Sequence, residues 1–149
     1  MGIYSGVYQV LMPAQAVTGA ITLCQINAPA DTAVDILRAW VSFNSIVSTA
    51  IEVGIKRIST GGTGTGITAS PHLPNNAAFG GSVTIFHTAE GTFTDYFYRE
   101  YTNYLNGWLH LPVPEERIRI APSGRLALYL PTAPGASITI SAGIIFGEL

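Results

Sequence analysis

The run Gly61-Gly62-Thr63-Gly64-Thr65-Gly66-Ile67-Thr68 has the glycine spacing of a phosphate-cradling loop and follows a predicted strand. Such a loop needs a Lys after its last glycine, to reach the phosphates, and a helix behind it. Here that residue is Ile67, and Pro71 and Pro74 forbid the helix. The histidines are His72, His87 and His110. They share no HxH or HExxH spacing and no cysteine pair accompanies them, so a zinc site would need separate segments to converge. His87, Asp95 and one of the many serines could form a nucleophilic triad, which geometry defines and spacing does not. There is no G-x-S-x-G elbow, and Gly80-Gly81-Ser82 reads as a loop entering a strand. Glu115 and Glu116 are adjacent in a predicted turn, whereas glycoside hydrolysis needs two acids facing each other across a cleft. Cys24 stands alone in the apolar stretch 20–26, so it reads as a buried, inert thiol. These residues predict no enzyme, no metal site and no cofactor.

The segment 93–104 carries a different signal. It holds six aromatics in twelve residues, and both faces of the strand it would form are aromatic. A strand with one solvated face does not need that. A central strand covered on both sides would explain it. So would a contact surface, because Tyr and Arg are enriched where subunits meet, or a platform for sugar rings. The contact surface is preferred, with Tyr96, Tyr98, Arg99, Tyr101, Tyr104 and Trp108 as its candidate residues.

The elements that must position these residues alternate with period two. Ile138, Ile140, Ala142, Ile144 and Phe146 share one face, and Ser137, Thr139, Ser141 and Gly143 the other. Leu126, Leu128 and Leu130 repeat the pattern, as do Ile51, Val53 and Ile55 against Glu52, Gly54 and Lys56. The segment 31–40 could open a helix with Asp31 as N-cap. The β-branched and aromatic continuation over 41–47 favours a strand instead. Asn106-Gly107 is a hairpin signal, and Pro122-Ser123-Gly124 marks another turn. Eight to ten short strands separated by turns predict one all-β domain over 1–149, an antiparallel β-sandwich of jelly-roll kind. Residues 1–16 could form an arm. The Gly/Pro-rich stretch 59–81 reads as a long loop, uncommon in a compact domain.

Charged residues make up 11% of the chain, against about 25% in an ordinary soluble domain. The net charge is −2, and the six Arg and one Lys are dispersed. That argues against nucleic-acid binding, which needs a basic stripe. Extensive uncharged surface implies burial against other subunits. No apolar run reaches the roughly 18–20 residues that span a bilayer. The N-terminal residues lack a positive n-region, and Gly6 stands where a myristoylation signal needs Ser or Thr.

Several segments resemble stretches of small virion proteins of tailed bacteriophages. They are 17–24, 28–33, 105–109, 111–117 and 130–134, including Leu105-Asn106-Gly107-Trp108-Leu109 and Leu111-Pro112-Val113-Pro114-Glu115-Glu116-Arg117. In general shape the chain is also similar to capsid decoration (cement) proteins. The resemblance implies a particle component, made in the host cytoplasm and located on the virion. It would work as a homo-oligomer, a trimer, bound to the major capsid protein or another virion protein. A lectin-like glycan-binding module of a tail or fibre is the alternative, and a hydrolase with its site on loops is third.

Overall fold

Alternation decides which segments become strands, and pairing decides what each strand's two faces meet. The computed structural model describes residues 4–44, 46 and 49–149. Among these it has thirteen strands and one short 3-10 turn. They form two antiparallel sheets packed face to face, an all-β sandwich.

Sheet A is built around β4 (Val34–Phe43) and β13 (Ile138–Glu148), the latter paired in turn to β1 (Gly6–Leu11). The short strands β2 (Gln15–Val17) and β7 (Ser70–Pro71) pair with β13 and β1. The other edge carries β10 (Trp108–His110) and β11 (Arg119–Ile120), both on β4. Sheet B has the order β6-β8-β3-β12-β5-β9. Its strands are β3 (Ile21–Asn27), β5 (Ile51–Thr60), β6 (Thr63–Ile67), β8 (Ser82–Ala89), β9 (Thr92–Thr102) and β12 (Arg125–Leu130). Between the sheets lie Val10, Ile36, Val41, Ile140, Ile144 and Phe146 from one side and Leu23, Ile26, Val53, Ile55, Leu126 and Leu128 from the other. Each such side chain contributes about 1.5–3 kcal/mol by leaving water.

The segment with helical potential is strand β4, and its extended form is fixed on both edges, by β13 and by β10 and β11. The expected continuation to residue 47 includes Ser45 and Val47, which lie outside the described residues. Four expectations need correction. The strands number thirteen because β2, β7, β10 and β11 have two or three residues each and are created by their partners. The arm over 1–16 is mostly sheet: 6–11 and 15–17 pair with β13, while 1–3 lie outside the described residues. The stretch 59–81 is not one loop, since it holds the end of β5 and all of β6 and β7. Asn106-Gly107 does not close a hairpin. Gly107 takes the left-handed φ of +65° the motif asks for, but β9 belongs to sheet B and β10 pairs with β4 of sheet A. The turn therefore carries the chain between layers.

β5 and β6 are joined by only Gly61 and Gly62, yet they lie at nearly opposite ends of sheet B. The reason is a long two-stranded ribbon. The β5–β9 ladder runs from Ile51↔Thr102 to Thr60↔Thr92 and resumes as β6–β8 from Thr63↔Ala89 to Ile67↔Val83. β8 pairs with β3 only through Ile85, and the next residue, Phe86, has φ +46°. A bulky side chain in that region marks a forced change of direction. The ribbon leaves the sheet there and crosses its outer face, bringing Gly61 against the side chains of Gln25 and Arg125. At the crossing the two strands touch: a Cβ on Gly91 would overlap the Thr60 carbonyl oxygen, and one on Gly62 the Ala89 carbonyl oxygen.

Candidate functional site

Two places hold chemistry-bearing or interaction-bearing side chains. The first lies beneath the ribbon crossing. Lys56 on β5 and Ala127 on β12 are register neighbours, as are Ala127 and Gln25 on β3, so all belong to the outer face of sheet B. The crossing covers them. Thr22, Gln25, Lys56 and His87 are all buried, the last on β8. Glu90, in the turn after β8, accepts from the Thr22 amide at 2.7 Å and from the Thr22 hydroxyl. Its carboxylate lies 3.8 Å from the Lys56 ammonium, which sits 3.3 Å from the Tyr129 ring centroid and 5.0 Å from that of Phe93. Burial pulls the Lys56 pKa down, and Glu90 opposes the shift. His87 has Nε2 2.8 Å from the Thr84 hydroxyl, while its buried Nδ1 meets no partner. Burial lowers its pKa, Glu90 raises it and Lys56 lowers it.

A lysine with a depressed pKa beside a histidine and a carboxylate has the composition of a base or a Schiff-base site. Access argues otherwise. The Lys56 side chain is 1% exposed and enclosed by two rings, so no solute reaches its amine. The cluster works as a polar second core that anchors the ribbon. The His87–Asp95 pairing considered from sequence is not formed, since Asp95 faces Arg57 at 3.8 Å. His72 is exposed on a separate loop. Among the described residues no three His, Cys, Asp or Glu side chains converge to hold a metal. The Cys24 thiol is fully buried, which pushes its pKa up to about 12.

The second place is surface. β9 is the edge strand of sheet B, not a covered central one. The structure separates the six candidate contact residues. Tyr98, Arg99 and Tyr101 are exposed. Tyr96 is half-buried under the Arg99 guanidinium, 4.9 Å from its ring centroid. Arg99 in turn is bound to the buried Glu52. Tyr104 is half-buried against the core. Trp108 is the correction: it is buried, because β10 turns alternate residues inward and Leu109 outward. There it stacks on His110 at 6.0 Å, and His110 meets Tyr98 of the other sheet edge-on at 4.6 Å.

Sequence reasoning did not find the apolar row on the outer face of sheet A. Leu11 of β1 is opposite Gly143 of β13, Gly143 is opposite Trp40 of β4, and Trp40 is opposite Leu109 of β10. Register partners share a face. The Trp40 ring lies flat over Gly143, where any Cβ would collide with it. Leu11 and Leu109 are more than half exposed, and Leu111 and Val113, which follow β10 in the chain, are 67% and 55% exposed. The charge beside it is Arg38, whose guanidinium stacks on Trp40 at 4.9 Å. The alternation of β13 assigned Gly143 to a polar face; only pairing reveals that it opens space for Trp40.

Comparison with known protein families, with curated proteins and with solved structures finds no match to the chain.

Proposed function

We propose that the chain is a non-enzymatic structural protein that packs against copies of itself, a capsid decoration protein of a phage particle acting as a closed homo-oligomer, a trimer. The observation that carries the assembly part is the row Leu11–Gly143–Trp40–Leu109, with the exposed Leu111 and Val113 following Leu109 in the chain. A contiguous exposed apolar surface of this kind marks an interaction site. Its flat, strand-wide shape suits packing against a different patch of the next subunit around a ring, the heterologous contact through which a trimer closes. A net charge of −2 offers little electrostatic repulsion between copies. The virion part rests on the resemblance of segments such as 105–109 and 111–117 to phage virion proteins. Many weak symmetric contacts are sufficient on a particle, because linked sites act at high effective concentration.

Light scattering behind a sizing column tests the assembly. The expected mass is a closed oligomer, and Leu109→Asp together with Leu111→Asp should return it to the mass of one chain with the fold retained. A monomer at every concentration overturns self-assembly. The particle assignment is checked by co-sedimentation with purified phage particles; a chain that stays in the supernatant removes it.

A glycan-binding reading draws on the exposed Phe93, Tyr98 and Tyr101 of the β9 edge, which are 43%, 41% and 67% accessible. Such rings can stack on sugars. A glycan array probed with folded protein decides it, silence excluding the reading.

A further inference from the structure

We propose that the mouth between the two sheets binds an organic carboxylate carried on an apolar body. The cleft opens where β5, β9 and β12 of sheet B meet β11 of sheet A, and it encloses about 420 Å3. That is within the range of small-ligand pockets. Ile58, Phe97, Ile120 and Leu126 line it with hydrocarbon, and Arg57 and Arg119 bring one arginine from each sheet.

Arg57 is the residue that the fold alone does not explain. It is opposite Leu126, which is 1% exposed, so the alternation of β5 calls for an apolar side chain there. A local break of pattern beside a cleft points to a site. Its guanidinium lies over the Phe97 ring at 4.7 Å and only loosely against Asp95, at 3.8 Å. Arg119 gives Nε and Nη2 to Asp35 at 2.7 and 2.9 Å. A guanidinium has five donors, so both arginines keep N–H groups for a ligand. Both side chains remain more than half exposed.

The chemistry of the ligand follows from charge and floor. Three arginines, Arg57, Arg119 and Arg125, line the cleft and no carboxylate does, so it favours an anion. A planar carboxylate matches the guanidinium fork. The arginine forks suit a phosphate too, but its remaining charged oxygens would be desolvated against the apolar floor, where a carboxylate presents a hydrocarbon body instead. An apolar or aromatic body attached to the carboxylate covers Phe97 and Ile120 in place of water. The carboxylate could be that of a free small acid or that of a peptide chain end; both present the same group.

The test is an amide-resolved NMR titration of the full chain. The probes are 4-phenylbutyrate, its neutral amide, inorganic phosphate, and a tetrapeptide ending in Phe-Leu with a free or amidated terminus. Saturable shifts confined to Ile58, Phe97, Ile120, Ala121 and Gly124 are expected with the acids. The amides and phosphate should bind at least tenfold more weakly. Arg57→Gln should weaken the acids about tenfold and leave the urea midpoint nearly unchanged, because its ion pair is exposed. Arg57→Lys, which keeps the charge and loses the fork, should fall between. Tighter binding of the peptide acid assigns a chain end, and tighter binding of phenylbutyrate assigns a small acid. Equal binding of acid and amide, equal binding of phosphate, or undiminished binding by folded Arg57→Gln overturns the proposal.

Discussion

Lys56 illustrates how one residue's meaning depends on what covers it. The ammonium is held by two ring faces and a single carboxylate, Glu90, which also ties down the Thr22 amide. A buried charge that loses its partner costs about 3–5 kcal/mol, whereas an apolar replacement of similar shape is often neutral. Glu90 is one-third exposed, so solvent relieves part of that loss. We therefore expect Glu90→Gln to destabilise by about 2 kcal/mol and Lys56→Met to cost less than 1 kcal/mol or to stabilise. Urea unfolding of the two variants checks this. If Lys56→Met is the more damaging, the pair stabilises in its own right and is not merely tolerated.

At the scale of elements, the ribbon crossing is the feature on which the second layer depends. Its two strands approach so closely at Gly62 and Gly91 that no side chain fits. Gly91→Ala places a methyl on the Thr60 carbonyl oxygen, a backbone atom that cannot move aside alone. The expected cost is about 2–3 kcal/mol, in the range of an overpacked site. Thermal unfolding measures it. Gly66, also in the ribbon, has open space where its Cβ would go, so Gly66→Ala should change stability by less than about 1 kcal/mol. β9 as an edge strand also carries a liability, since eleven residues present an unpaired backbone side. Three register shifts against β5 and the charges Asp95, Arg99 and Glu100 interrupt that edge. These are devices that discourage strand addition along the β9 edge.

The whole molecule has a pH dependence set by its buried histidines. Burial depresses the pKa of both His87 and His110. Glu90 and Lys56 face His87, while Glu100 and Glu116 act on His110. An unfolded chain protonates these rings near pH 6.5, and the folded chain only at lower pH. Below about pH 6.5 the unfolded state binds more protons, so stability falls as pH drops, until the folded rings titrate too. Each histidine contributes at most about 1.4 kcal/mol per pH unit in that window. Asp35 acts lower down. Arg119 hydrogen bonds hold its carboxyl below the usual range against the opposing effect of burial. Its contribution is present above pH ~4 and disappears as pH falls through the folded value. Urea midpoints between pH 7.5 and 5 should decline, and His87→Asn with His110→Gln should flatten that decline. A flat profile in the unsubstituted protein would show that the rings are accessible to protons in the folded state.

Much of the architecture is legible in local pattern, because a strand with one buried face must alternate. The alternation over 138–146, 126–130 and 51–55 lies within β13, β12 and β5, and the apolar surroundings of Cys24 match its burial. The sheet-to-sheet sandwich follows from those strands and the turns between them. What the pattern cannot carry is the identity of each strand's neighbours, because pairing is a long-range choice made by the whole core. Asn106-Gly107 has the same local chemistry whether it joins two strands of one sheet or passes between sheets, and tertiary structure chose the second. Lys56 and Glu52 occupy the polar phase of β5 and read as solvated, yet they are buried by a ribbon crossing and an arginine that come from elsewhere in the chain. Trp108 reads as surface from its company and is interior because β10 pairs with β4 in the register that turns it inward. The row across sheet A exists only once Leu11, Gly143, Trp40 and Leu109, far apart in sequence, are aligned by three ladders. Local sequence determined where strands form and which of their faces are apolar; tertiary pairing decided which of those faces became core, which became sealed polar interior and which remained exposed.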